Sequence, residues 1–172
     1  MSLFSRLYRI KQMYHLWRMR RLGLNIADDC MMMDCTDFGS EPYLITIGKH
    51  VALAAQVTFI THDGGTYVFR EQERYRKVIK YGRITVKDNC TIGFRTTILP
   101  GVVIGPNSVV AAGSVVTRNI PPNVLAAGNP AKPVMSIEQY AEWSLAATPD
   151  YDVAEYFRDK RGCLGKLRLK GG

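Results

Sequence analysis

The chain has 172 residues, 47% of them hydrophobic and 22% charged, with a formal net charge of +8. That length suits one domain with a terminal appendage, and that balance can bury a core, which excludes a chain disordered by composition. Cys30, Cys35, Cys90 and Cys163 form no CxxC pair and no cluster with histidine, which argues against a zinc site or a disulfide framework and for a reducing, cytoplasmic setting. No run reaches the length needed to span a bilayer, and the N-terminus lacks the apolar core of a signal peptide.

Residues 1–22 predict a basic amphipathic helix. Leu3, Leu7, Ile10, Tyr14 and Trp17 recur at steps of three and four, and Arg6, Arg9, Lys11, Arg18, Arg20 and Arg21 supply six positive charges before the first acid, Asp28. One role for such a helix is a cap over the open end of a repeat fold, or a contact between copies. The other is peripheral contact with an anionic membrane. His15 falls in this segment and is expected at the surface.

From Ile26 the chain counts in sixes: Ile26 and Met32, then Ile47, Leu53 and Phe59. Four residues after the first four of these stand Cys30, Thr36, Val51 and Val57, mostly small. His50, in IGKHV, takes a corner position and is expected to be exposed. After Phe59 the count fails and resumes only at Val86, a gap of 27 residues, which is not a multiple of six. The chain must therefore leave the regular wall and re-enter it. The excursion, residues 64–82, carries Arg70, Glu71, Glu73, Arg74, Arg76, Lys77 and Lys80 among few aliphatics, so it must project. Its departure is marked by His62, Asp63, Gly64 and Gly65, and loops held by a stiff scaffold commonly carry function.

Beyond the excursion every sixth residue is β-branched and aliphatic: Val86, Ile92, Ile98, Ile104, Val110 and Val116. At a 47% hydrophobic share, six apolar hits in a row arise by chance in about one phase in a hundred. The residues four further on are Cys90, Thr96, Val102, Ser108, Ser114 and Ile120. A helix wants apolar residues at three and four, and an ordinary strand wants alternation. A period of six means a short flat strand and a corner, with the small residue where the wall bends. Gly93, Gly101, Gly105 and Gly113, with Pro100 and Pro106, supply the tight or φ-restricted corners. Three sides make a triangular coil, and coils stack to cover each other's open hydrogen bonds. Ordinary β-hairpins would need longer strands and hairpin turn signals, which are missing. After Pro133 the repeats stop. SIEQYAEWSLAA predicts a helix with Ser136 as N-cap, a second short helix is expected near Asp152 to Lys160, and RGCLGKLRLKGG is expected to be a mobile basic tail.

The stretch TIGFRTTILPGVVIGPNSVVAAGSVVTRNIPPNVLAAGNPAKPV, residues 91–134, with THDGGTYVF around His62, resembles the hexapeptide-repeat acyltransferases, in their sugar and xenobiotic O- or N-acetyltransferase branch. The resemblance covers roughly residues 24–135. It implies a mainly β fold, a left-handed parallel β-helix that departs from the usual right-handed crossover, together with a homotrimer and acetyl-CoA as donor with no metal. The expected division is a helix over 1–22, a β-helix domain over 23–135 and a helical segment over 136–172. The loop would help form an acceptor pocket between subunits, with Tyr67 and Arg70 as acceptor contacts and His62 as the catalytic base. A neutral imidazole suits the removal of the acceptor's proton near neutral pH, and such a base contributes about 10²–10⁴-fold. Asp63 would either orient the imidazole or bind a sugar hydroxyl. The positions matching the family's coenzyme site are Ala112, Gly113, Thr117 and Arg118, with Lys132 directed at phosphate. Phe94 departs from the small residue frequent beside the thioester, so it would narrow the acyl slot or stack on the acceptor.

The resemblance leads to acetylation of a carbohydrate hydroxyl in surface-polysaccharide biosynthesis. The alternatives are the amine of a nucleotide-linked amino sugar and an antibiotic. A non-catalytic scaffold is the reading from another class. A carbonic-anhydrase-like relative needs three metal-binding histidines from the coils, and this chain has only His15, His50 and His62, the first ahead of the repeats. A nucleic-acid partner is not expected, because the charge is dispersed and nothing resembles a recognition helix.

Overall fold

The structure is a computed structural model that describes residues 3–33 and 36–167; Cys35 lies outside these. A helix, α1 (Leu3–Arg21), precedes thirteen short strands: β1 (Asn25–Ile26), β2 (Met31–Met32), β3 (Ile45–Ile47), β4 (Ala52–Leu53), β5 (Thr58–Phe59), β6 (Ile84–Val86), β7 (Thr91–Ile92), β8 (Thr97–Ile98), β9 (Val103–Ile104), β10 (Val109–Val110), β11 (Val115–Val116), β12 (Val124–Gly128) and β13 (Ala131–Ser136). Three helices follow, α2 (Ile137–Ala147), α3 (Val153–Arg158) and α4 (Lys160–Lys166).

The strands fall into three sheets, visited in rotation. The first side holds β1, β3, β6 and β9, the second β2, β4, β7, β10, β12 and β13, and the third β5, β8 and β11. All pairs are parallel except β12 with β13, an antiparallel hairpin that ends the second side and that the period of six does not announce. Register follows the count: Ile47 lies over Ile26 and under Val86, Ile92 over Leu53 and under Val110, and Ile98 between Phe59 and Val116. Every one of these side chains is buried, as are most of the residues four further on, Val51, Val57, Cys90, Thr96, Val102 and Ser114, whereas Cys30 is half-buried. The coil thus has one continuous apolar interior, and each fully buried Val or Ile contributes about 1.5–3 kcal/mol.

The corners are held by backbone that L-residues rarely adopt. His50, Asn89, Asn107 and Asn123 all have positive φ, between 52° and 60°. They stack on one edge as a hydrogen-bonded ladder. His50 Nδ1 meets Asn89 Oδ1 at 2.7 Å, Asn89 Nδ2 donates to Asn107 Oδ1 at 2.9 Å, and Asn107 Nδ2 donates to Asn123 Oδ1 at 3.0 Å. Asparagine tolerates this conformation better than other non-glycine residues, and its amide satisfies the next coil. His50 is therefore an exposed corner residue with a structural partner.

The N-terminal helix caps the first coil, but with the face opposite to the predicted stripe. Met19 is buried and Leu16 packs on the same core. His15, expected at the surface, is half-buried: its ring stacks on Phe38 and its Nε2 lies 3.1 Å from the Thr36 carbonyl. Tyr8 donates its hydroxyl to the Met33 carbonyl at 3.0 Å. Leu7, Ile10, Tyr14 and Trp17 point outward; the side chain of Leu3 lies outside the described residues. A period near 3.6 marks a stripe without saying which side meets the core, and residues 8, 12, 15, 16 and 19 form a second stripe that does.

Two compact units emerge, Met1–Ile137 and Glu138–Gly172. In the second, Asp152 caps α3 by accepting from the Glu155 N–H at 2.7 Å, and Asp159 caps α4 through the Gly162 N–H at 3.0 Å. Residues 161–166, expected to be mobile, belong to the helix α4, which buries its own Cys163 and pairs Lys166 with Glu155. Residues 168–172 of the predicted tail lie outside the described part. No helix among the described residues is long and apolar enough to cross a membrane.

Candidate active site

The excursion leaves after β5 and returns at β6, at the edge where the third side turns into the first. Its neck is a short antiparallel bridge: His62 pairs with Tyr81, the Asp63 N–H donates to the Lys80 carbonyl at 2.9 Å, and the Gly82 N–H donates to the Thr61 carbonyl at 2.9 Å. Gly82 is required there because a Cβ would collide with the backbone of Gly101 in the coil above. Within the loop, residues 64–69 and 73–75 form 3₁₀ turns. The rigid wall thus ends at Thr61, and His62 opens the loop.

The group that meets the imidazole is not its sequence neighbour. His62 Nδ1 lies 3.0 Å from Glu41 Oε2, which also accepts from Thr61 Oγ1 at 2.5 Å. The Glu41 side chain is 13% exposed and that of His62 is 43% exposed. The Thr61 hydroxyl holds the Glu41 carboxyl below its ordinary pKa against the opposing effect of burial, and the His62 bond acts in the same direction. An ionised carboxylate only accepts, so this bond calls for a proton on Nδ1 and leaves Nε2 as the nitrogen for a substrate. Asp63 is engaged elsewhere: its carboxylate accepts from Lys80 Nζ at 2.6 Å and from the Gly65 N–H at 2.9 Å, and these partners hold its pKa down. It shapes the loop's first turn.

Sequence reasoning missed Glu41, although a signal existed. Phe38 stacks on Phe59 in the third side, with ring centroids 5.4 Å apart, and so belongs to the count. From Phe38 to Ile47 is nine residues instead of six. This smaller insertion, with its 3₁₀ turn at Pro42–Leu44, leaves from the same edge as the large excursion and delivers Glu41 to its base.

His62 lines two adjoining hollows. One, of about 280 Å³, is formed by the loop and includes Asp63, Tyr67, Arg70, Lys80 and Tyr81. The other, of about 510 Å³, runs along the wall past Ile60, Leu99, Pro100 and Thr117. The structure therefore brings Tyr67, Arg70 and Thr117 to the two sides of His62. The other expected coenzyme positions lie further off in the coil. Phe94, Ala112 and Gly113 occupy the opposite edge of the third side, Arg118 follows Thr117, and Lys132 stands on β13 across from Ala127. Gly113 donates to the Phe94 carbonyl at 2.7 Å, with φ of 71° and nothing within 4 Å of where a Cβ would sit. Phe94 is exposed beneath the Arg95 guanidinium, 5.0 Å from its ring centroid. Small, open backbone of this kind suits a narrow pantetheine arm, and exposed Arg118 and Lys132 suit phosphate. Among the described residues no group of histidine, cysteine and carboxylate side chains could hold a metal ion.

Comparison with known proteins accords with this architecture. The family described as bacterial transferase hexapeptide (six repeats) matches residues 83–118. Protein CapG of Staphylococcus aureus is 44% identical over 146 residues, which span 84% of this chain and 83% of that protein. Galactoside O-acetyltransferase of Escherichia coli (strain K12) is 38% identical over 119 residues, 69% of this chain but only 52% of that enzyme, so the chain spans about half its length. A solved galactoside acetyltransferase in complex with coenzyme A superposes with a TM-score of 0.52 at 27% identity, covering 72% of this chain and 70% of that one. With rotating three-sided coils, a register of six and relatives of this kind, the chain belongs to the hexapeptide-repeat acetyltransferases, left-handed parallel β-helix enzymes whose donor is acetyl-CoA.

Proposed function

We propose that this chain moves an acetyl group to a hydroxyl of a carbohydrate, of the kind built into surface polysaccharide, with His62 as general base. The observation that carries the reading is the position of His62 on the shared wall of two hollows. One is bounded by the expected acceptor residues Tyr67 and Arg70, and the other reaches Thr117 on the expected coenzyme side. The likeness to a galactoside O-acetyltransferase favours a sugar hydroxyl over an amine or a drug.

Acetyl-CoA supplies the acetyl group as a thioester, and the residues of this chain govern the proton. His62 Nε2 takes the acceptor's hydroxyl proton as that oxygen attacks the carbonyl; the carbon–sulfur bond then breaks and the sulfur leaves with a proton. The imidazolium formed in passing sits beside Glu41, whose carboxylate steadies the positive charge and fixes the ring's tautomer and aim. Glu41 is thus a positioning residue, and Thr61 fixes Glu41. Asp63 and Lys80 set the loop, leaving Tyr67 and Arg70 to meet the sugar. Phe94, Ala112 and Gly113 border the pantetheine portion, while Arg118 and Lys132 meet the phosphates. A homotrimer completes the acceptor pocket; the exposed loop residues Tyr67, Val68 and Ile79 offer apolar area to a neighbouring copy.

The test is acceptor-dependent thiol release from acetyl-CoA across a panel of sugars, nucleotide sugars and glycan oligomers. Release with a neutral sugar hydroxyl, reduced about 10²–10⁴-fold in His62→Ala, is the expected result. Full activity in a folded His62→Ala protein, or release only with amine acceptors, overturns the reading.

A further inference from the structure

α1 has two apolar faces, and only one is used. Its inner side closes the first coil through Met19, Leu16 and His15. On the opposite side Leu7, Ile10, Met13, Tyr14 and Trp17 are 51–70% exposed. A solenoid cap ordinarily turns a polar face outward. This one shows a continuous apolar strip with two aromatic rings, Tyr14 stacked on Trp17 at 5.8 Å.

The polar borders of the strip carry a single sign of charge. Between Leu3 and Arg21 the sequence holds Arg6, Arg9, Lys11, Arg18, Arg20 and Arg21 and no acid. Arg20 is drawn to Asp28 at 2.7 Å on the coil side. Lys11, Arg18 and Arg21 are exposed, and the Arg21 guanidinium lies over the Trp17 ring at 5.0 Å. A stacked Tyr–Trp pair with a cation over one ring has the composition of a headgroup boundary, where an amphipathic ring meets both hydrocarbon and charge.

We propose that the outer face of α1 docks on an anionic lipid bilayer, lying in the plane of the headgroups with Leu7, Ile10, Met13, Tyr14 and Trp17 inserted. Charge decides between this partner and a second copy. Packing the face against the same face of another chain would bring together two acid-free, cation-bearing helices. An anionic bilayer supplies apolar depth and opposite charge at once. The helix is too short of apolar residues to cross, so the contact is peripheral. Docking would place the chain at a surface that carries lipid-borne sugars; that consequence rests on the carbohydrate reading above, whereas the binding itself does not.

The experiment is co-sedimentation of the full chain with phosphatidylcholine vesicles that contain or lack phosphatidylglycerol, at low and high salt. Binding to the anionic vesicles only, weakened by salt, is expected. Arg18→Gln with Arg21→Gln should lower the partition about 25-fold, since each cation near an anionic surface is worth about fivefold. Ile10→Ser with Trp17→Ser, which leaves the inner face of α1 intact, should abolish binding while the thermal transition and acetyl transfer to a soluble acceptor persist. Failure of the wild-type chain to bind anionic vesicles overturns the proposal. So does binding that both variant pairs leave unchanged, or a loss of oligomer without loss of vesicle binding, which would mark the face as a contact between copies.

Discussion

Replacing Glu41 by glutamine tests the geometry at its most specific point. The substitution keeps the side chain's shape and its ability to accept from Thr61, but removes the charge that faces the imidazole. Glu41 Oε2 lies 3.0 Å from His62 Nδ1, within range of a charge-assisted hydrogen bond. Such bonds contribute about 1.5–3 kcal/mol, and each 1.4 kcal/mol is tenfold, so Glu41→Gln should lower kcat on the order of 10- to 100-fold. The loss should fall on kcat and leave the KM for acetyl-CoA unchanged, because the carboxylate steadies the positive ring formed as the acceptor attacks. Steady-state thiol release at saturating donor and varied acceptor measures both constants, and circular dichroism checks the fold. The double variant with His62→Ala should be no slower than His62→Ala alone, since a positioning residue has nothing left to position. A folded Glu41→Gln enzyme with wild-type kcat, or a double variant slower by the full product, would refute the dyad.

Acid stability should respond to Thr61. The Glu41 carboxyl is held below its ordinary pKa chiefly by the Thr61 hydroxyl. The stabilisation from that depressed value is therefore complete above the usual carboxylate range and is lost as pH falls through the lowered pKa. Thr61→Val should move the onset of acid unfolding to higher pH, and superimposable curves would show that the bond adds nothing. In the core, Ile98 is 0% exposed between Phe59 and Val116, so Ile98→Ala should cost about 2–5 kcal/mol in urea denaturation. At the corner, Asn107 has φ of 53° and bridges Asn89 and Asn123. Asn107→Ala loses both bonds and strains the backbone, whereas Asn107→Gly loses only the bonds, so the alanine variant should be less stable by about 1 kcal/mol. Equal stability of the two would remove backbone strain from the account of that edge.

Much of the fold was legible because a strand's side chains point in or out according to a local rule. The run from Val86 to Val116 states the coil, and the break after Phe59 locates the loop and His62 without any long-range information. The site was only half legible. Phe38 continues the count from Met32, but the step of nine from Phe38 to Ile47 was not read as an insertion, so Glu41 went unnoticed while Asp63, adjacent in sequence, drew attention. Adjacent residues on extended backbone point to opposite sides. Here Asp63 turns to Lys80 and the imidazole meets a side chain from 21 residues earlier. The β12–β13 hairpin and α4 were missed for a related reason: antiparallel pairing and the cover over Cys163 depend on partners, not on period.

The sequence by itself determined the coil, its step, its small-residue corners and the place where the chain leaves it, since each follows from neighbours along the backbone. Only the tertiary structure decided which carboxylate meets His62 and which face of α1 seals the coil. Both depend on which insertions and helix faces come together when coils stack, and stacking is set by the register between turns, a relation among residues far apart in the chain.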